Sequence, residues 1–371
     1  MYHRYISGTL NKTKSCPKPK RKVKKMNLRK IVSGLVAGCI TASALMTPAA
    51  FAQTPVPAKT MKVGELYTFG DFECDVLSES TIGISYIGSD EVVDIPAKIN
   101  GHRVTEIENF SNNPNIKEVN FPVWVEKIYD GAFSYCTALE SITIPEGVTE
   151  LGDFVFDSCE SLKTVELPDT LTRIGSETFI QCTSLESINL PDSLTSIGSL
   201  AFQGCTSLKS AKLPKGLKTI DRYAFAGCSS LESITIPSSV TEIRGTFLGC
   251  TSLKSVKLSK GLKTIGSMAF KDCSSLKSIT IPSSVKTIEE QAFFNCGKLS
   301  SAKISCKSVS IGDNVFSGCK SLKTVKLTNR VKSIGATPFD KVNKKIKVTY
   351  KGKTYSYKKL DSLCKAINGK K

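Results

Sequence analysis

The stretch Cys205-Thr206-Ser207-Leu208-Lys209-Ser210-Ala211-Lys212-Leu213-Pro214-Lys215-Gly216-Leu217-Lys218-Thr219-Ile220 decides the fold. Leu208, Ala211 and Leu213 have the spacing of a short strand whose alternate side chains turn to one side. Pro214, with no N–H to give a ladder, ends that strand. Leu217 and Ile220 supply a second apolar pair after the Lys215-Gly216 turn. Asp221-Arg222-Tyr223-Ala224-Phe225 then predicts a short helical turn that carries Phe225 inward before the next cysteine.

Working outward, the same features recur. Cys136, Cys159, Cys182, Cys205 and Cys228 are each 23 residues apart, and Cys250, Cys273, Cys296 and Cys319 continue the step after one deletion. Phe133, Phe156, Phe179, Phe202, Phe225, Phe247, Phe270, Phe293 and Phe316 keep the same clock, with Phe110 and Phe339 extending it in both directions. About ten to eleven repeats follow, and a period of this size means a solenoid. Five or six apolar side chains cannot close a core within one coil, so each coil must bury them against the coils above and below. Composition agrees: 40% hydrophobic but only 8% aromatic residues, with 26 glycines among 371, suit many small equal packing sites better than one aromatic centre.

The ends of a stack need covers. Residues 62–103 leave the repeat and alternate like strands, an N-terminal cap on a solenoid at 104–340. Residues 341–371 read as a C-terminal cap: two strand-like runs flank Lys351-Gly352-Lys353 as a hairpin, and a short helix follows over 360–367. Residues 53–61 read as a linker.

Residues 1–52 hold eleven basic residues and no acid. Met26-Asn27-Leu28-Arg29-Lys30, an apolar run over 31–46, Pro48 and Ala50-Phe51-Ala52 follow the order of a secretory signal cleaved after Ala52, which makes the expected location secreted or cell-surface. The run is shorter than the roughly 20 residues of a membrane span, and Gly34 and Gly38 interrupt it. Because Met26 opens a self-sufficient signal, the start lies at Met1 or at Met26. Val36-Ala37-Gly38-Cys39 resembles a lipoprotein box, the minor alternative, but the residues after Cys39 stay apolar where a lipoprotein turns polar.

Ile234-Thr235-Ile236-Pro237-Ser238-Ser239-Val240-Thr241-Glu242-Ile243 and Gly266-Ser267-Met268-Ala269-Phe270-Lys271-Asp272-Cys273-Ser274-Ser275-Leu276 resemble the BspA-like leucine-rich repeat family of bacterial surface proteins, over residues 62 to about 340. The resemblance implies an α/β, β-rich fold: a leucine-rich-repeat solenoid of 23-residue repeats with parallel strands, short helical turns and capping ends. The cysteine stands three residues before the first Leu of each strand, as in that subtype and unlike the generic leucine-rich pattern. For function the resemblance implies an adhesin or receptor-like protein binder, and a fold shared by many activities names no ligand.

Adjacent rungs about 4.8 Å apart fall within disulfide range, but stacked side chains point the same way and nine cysteines cannot all pair. A buried thiol ladder is therefore expected, with Cys74, Cys306 and Cys364 left as candidates for a bridge. A line of thiols without a Cys-x-x-Cys pair does not converge on a metal, and neither metal nor cofactor is expected. His3 lies in the leader, so His102 is the one imidazole of a chain starting at Gln53. Ser187, Ser210, Ser233, Ser255 and Ser278 keep the coil register of a scaffold, and the adjacent carboxylates Glu289 and Glu290 read as solvated. No catalytic residue is assigned and the chain is not expected to be an enzyme.

Outward strand positions on the concave sheet are the expected contact surface. In the leading repeats they are Glu140, Thr143, Lys163, Glu166, Glu186 and Asn189; later they become Lys209, Lys212, Lys254, Lys257, Lys277, Lys303, Lys323 and Lys326, the candidate ligand-binding set. Residues 53–200 carry 8 basic and 24 acidic side chains, a net of −16, whereas residues 201–371 carry 32 and 9, a net of +23. This polarity suits an extracellular protein, an anionic glycan or a cell-wall polymer as partner, or salt-sensitive self-association, and equally a face that merely solubilises. Nucleic acid is not expected, because no recognition motif accompanies the charge. The leading function is a secreted or cell-surface protein-binding module; the alternative is a structural or self-assembling cell-wall-associated spacer without a specific host ligand.

Overall fold

The computed structural model describes residues 61–328 and 330–369, together with the backbone of 23–25. The signal stretch, its cleavage position at Ala52 and the Cys39 motif lie outside the described residues. The chain winds into a β-solenoid of about 12 turns. Each turn lays down a first strand such as Ser141–Thr143, Thr164–Glu166 or Ser187–Asn189, and a second such as Glu150–Leu151, Arg173–Ile174 or Ser196–Ile197. Because every coil returns to the same heading, like strands pair in parallel, Ser141 with Thr164 and Glu150 with Arg173. In the first strands the central residue, for example Ile142 or Ile188, is buried while both flanks face solvent. That is the period-two pattern of a one-sided sheet.

Two files of side chains run through the core. From Phe133 to Phe339 every ring stacks on the next, with centroids 5.0–5.9 Å apart and planes within 13°. Beside them runs the thiol file. Cys136 Sγ donates to Phe110 O and Cys159 Sγ to Phe133 O, both at 3.2 Å, and the pattern repeats to Cys319 on Phe293 O at 3.1 Å. Each Phe carbonyl inside the stack thus serves twice: Phe133 O also accepts the N–H of Cys136. Cysteine suits the position because it is small, apolar and still a weak donor. All twelve described cysteines are free thiols, Cys74, Cys306 and Cys364 among them.

The segment leading into each Phe, expected as a short helical turn, is a run of hydrogen-bonded turns with two left-handed residues per coil. Phe154 and Ser158 (φ 60° and 56°), Glu177 and Gln181 (56° and 58°), and Tyr223 and Gly227 (60° and 72°) are examples. Left-handed backbone costs roughly 1–2 kcal/mol for a residue with a Cβ. Here it turns alternate N–H groups toward the next coil, as Phe154 N to Ser176 O, Phe156 N to Thr178 O and Ser158 N to Ile180 O. A third ladder of hydrogen bonds results, and these bonds offset the backbone strain. Within the coil the turns close by i to i+3 bonds, as Asp157 N to Phe154 O and Cys159 N to Phe156 O.

One coil is a residue short, yet the register survives, with Ser233 opposite Ser255 and Glu242 opposite Thr264. The loss falls where Ile243 is followed by Arg244-Gly245-Thr246-Phe247. Gly245 takes φ 59°, and the buried Thr246 accepts the N–H of Arg244 at 3.0 Å. The Arg244 side chain leaves the backbone beside Gly266, and its guanidinium meets Glu289 at 2.8 Å, two coils on. Glu289 also accepts the N–H of Ser267 at 3.0 Å. It is therefore a half-buried, paired carboxylate, and the reading of it as solvated is corrected.

Elsewhere after the second strand the coils touch through glycine. A Cβ on Gly198 would lie 2.5 Å from the carbonyl carbon of Gly175, backbone that cannot move aside, whereas one on Gly227 would clear its neighbours by 3.6 Å. Gly198→Ala should cost about 1–3 kcal/mol through forced separation of coils. Gly227→Ala should lose only its left-handed preference, about 1 kcal/mol. Urea midpoints of the two variants check the order.

Both ends of the stack are closed. Leu66–Phe69, Phe72–Val76 and Thr81–Tyr86 form an antiparallel meander that joins His102–Asn109 in parallel, and Tyr86 stacks on Phe110 at 5.5 Å. The backbone of Val23–Lys25 runs parallel to Leu66–Phe69. At the far end the hairpin of Lys347–Tyr350 and Lys353–Ser356 extends the sheet of first strands. The helix Leu360–Asn368 buries Leu360, Leu363 and Ile367 over the last second strand, Val331–Ile334. There the Asn368 amide donates to Ile334 O at 2.8 Å and accepts from Ile334 N at 3.0 Å. One side chain thus takes the place of the strand that would otherwise come next.

Candidate binding face

The first strands expose three files of side chains. The file one residue ahead of the strand reads Glu91, Lys117, Glu140, Lys163, Glu186, Lys209, Glu232, Lys254, Lys277, Ser300, Lys323. Its first eight members alternate in sign, and each lysine reaches back to the acid of the preceding coil: Lys117–Glu91 at 2.9 Å, Lys163–Glu140 at 2.7 Å, Lys209–Glu186 at 2.7 Å and Lys254–Glu232 at 2.6 Å. Lys163 and Lys209 hold the carboxyls of Glu140 and Glu186 below the usual range, and Glu91 raises the Lys117 ammonium. All these groups are exposed, so the pairs matter less for stability than for leaving this part of the face neutral.

From Lys277 onward the alternation stops. All eight candidate lysines are exposed, but the structure divides them: Lys209 and Lys254 are paired, whereas Lys212, Lys257, Lys277, Lys303, Lys323 and Lys326 form no ion pair among the described residues. Lys303 stands directly opposite Lys326 in the sheet register, and like charges so placed repel. Between these files runs one of hydroxyls, Ser255, Ser278, Ser301 and Thr324, which make no hydrogen bond to protein among the described residues. Lys347, opposite Thr324, extends the positive area onto the terminal hairpin. The early outward residues are partly satisfied by one another, as in the hydrogen bond from Thr143 Oγ1 to Glu166 Oε2 at 3.1 Å.

Glu91, Lys117, Glu232 and Lys347 belong to this surface but are absent from the sequence-based set. A sign that flips once per period was the available signal for the first three. His102 lies in the opening cap, its Nδ1 3.1 Å from Asn100 O. Among the described residues no group of three His, Cys, Asp or Glu side chains could hold a metal, and no helix is long and apolar enough to cross a membrane.

Residues 104–229, 181–250 and 244–359 match the model of the BspA type leucine rich repeat region, in six copies. A leucine-rich repeat protein from Bacteroides ovatus is similar in structure over 74% of this chain and 79% of its own, with a TM-score of 0.64 and 30% identity. The pneumococcal vaccine antigen PcpA shares the fold over 78% of this chain and 89% of its own, with a TM-score of 0.53 and 22% identity. No curated protein matches the chain.

Proposed function

Because the chain belongs to the BspA-type leucine-rich repeat family, we propose that it is a bacterial surface-type binding module, adhesin-like, exported by its leader and cleaved after Ala52. It engages an anionic extracellular partner through the strand face of its later coils. One observation carries this reading: lysines and carboxylates cancel in pairs along the first eight rungs, and the cancellation ends at Lys277. A face meant only for solubility has no use for that change, whereas a contact area needs charge its own scaffold does not neutralise. The regular side-chain files and the family's scaffold character favour recognition over catalysis.

Joint Lys257→Glu, Lys277→Glu, Lys303→Glu and Lys326→Glu substitution should reduce retention of the labelled protein on intact cells by about a thousandfold, from roughly 1 kcal/mol per lysine at an anionic surface. Raising the ionic strength should have the same effect on the unaltered protein. Unchanged retention and unchanged salt dependence in the variant would reject this contact area.

A further inference from the structure

The unpaired face also specifies a chemical class of partner. We propose that it binds a linear polyol-phosphate polymer, of the kind that makes up anionic cell-wall chains, lying along the solenoid axis; this rests on the strand face being the contact area.

Lys257, Lys303 and Lys326 lie in one file, with Thr280 on the rung between the first two, and Lys277 and Lys323 in another, with Ser300 between them; successive rungs are about 4.8 Å apart. Charges ruled along a line suit a ligand whose charges also repeat along a line. The repulsion between Lys303 and Lys326 is relieved when an anion lies across both. Every charge in these files is a lysine, a point cation that meets a phosphate oxygen from many directions. Planar carboxylates are better matched by the fork of arginine, which is absent from the files. The hydroxyls of Ser278, Ser301 and Thr324 run between the lysines and can donate to phosphate oxygens or accept from polyol hydroxyls.

The same face lacks what other polyanions require. Protein contacts centre on buried aromatic or arginine anchors, and single-stranded nucleic acids stack their bases on aromatic rings. Among the described residues, the exposed large hydrophobic side chains are Val63, Ile87, Val92, Val123, Trp124, Tyr135, Phe154 and Tyr357, and none belongs to the first strands of the later coils. A ringless, hydroxyl-bearing polyanion needs no such platform.

Polyglycerol phosphate, poly-L-glutamate and single-stranded DNA of matched length, each fluorescently labelled, should be titrated with the full chain between 50 and 200 mM salt. With four lysine contacts, the logarithm of affinity for polyglycerol phosphate should fall with a slope of about −3 against the logarithm of salt, roughly a 50-fold loss across that range. Lys257→Gln, Lys277→Gln, Lys303→Gln and Lys326→Gln together should abolish binding. Lys117→Gln and Lys163→Gln, which disturb only paired rungs, should leave it within about twofold, and matching urea midpoints confirm that both variants fold. Equal or tighter binding of polyglutamate or DNA overturns the assignment of ligand while leaving the face as a contact area. If no polymer binds but the glutamate variant still loses cell retention, the polymer class alone is wrong. If neither measurement responds to the substitutions, both readings fall.

Discussion

Phe202→Ala should lower the stability of the solenoid by about 3–5 kcal/mol, the range for truncating a fully buried aromatic ring. Phe202 has no exposed surface, and its ring stacks 5.2 Å from Phe179 on one side and 5.0 Å from Phe225 on the other. Its loss opens a gap between two coils that glycine contacts and three ladders of hydrogen bonds hold at fixed spacing, so neighbours cannot collapse into the space. Since almost every contact joins a coil to the next, stability is close to a sum of coil and interface contributions. A broken central rung should therefore turn one urea transition into two, as the coils before and after it unfold separately. Phe339→Ala, where the ring among the described residues stacks on Phe316 alone, should cost less and keep a single transition. Urea denaturation followed by circular dichroism distinguishes these cases, and a Phe202→Ala midpoint within experimental error of the parent would refute a core built from the ring file.

Raising the pH from 8 to 11 should unfold the chain, with a steepness set by the thiol file. Burial pushes Cys136 up to about 11 and Cys74 to about 12, and it raises Cys159, Cys182, Cys205, Cys228, Cys250, Cys273 and Cys296 as well. In the folded chain these thiols stay protonated, whereas in the unfolded chain they ionise near pH 8.5. The folded state then binds more protons, so stability falls as pH rises. The contribution is intact below the unfolded value, and each thiol removes about 1.4 kcal/mol per pH unit above it until its own folded value is reached. Several thiols acting together exceed the total stability of a typical domain within two or three pH units. Cys205→Ala should make the dependence shallower by one proton.

The same burial makes the file unreactive. At pH 8 a thiol reagent should label the half-buried Cys364 first and the file only on unfolding. Labelling of the native file as fast as that of denatured chain, or stability unchanged between pH 8 and 11, would contradict this account.

The recurring Phe and Cys give the stacking of coils directly, because a 23-residue unit with so few apolar side chains has no other way to bury them. The parallel strands follow from Leu208, Ala211 and Leu213 and their counterparts. The turn before each Phe was legible but its links to the next coil were not, because apolar spacing reports which side chains face inward, not where the N–H groups go. In Asp153-Phe154-Val155-Phe156 those groups go to the next coil. Glu289 was misjudged for a related reason: its partner Arg244 is 45 residues away in sequence and two coils away in space.

The candidate face was half legible. Its lysines could be placed on outward strand positions because the strand period is two and the repeat length is known. The once-per-period change of sign hinted that Lys209 and Lys254 are neutralised while Lys277 and Lys303 are not, but the ion pairs themselves required Glu186 and Glu232 to lie one rung from their partners.

By itself, the sequence determined the repeating unit, its inward residues and the need to stack, since these depend on the apolar content of one coil and its period. The tertiary structure decided the left-handed turns, the accommodation of the missing residue at Gly245 and Thr246, the Asn368 closure and which charges cancel. Most of these depend on what lies about 4.8 Å along the axis, a neighbour one coil or more removed in the chain, and only the folded register brings the two together.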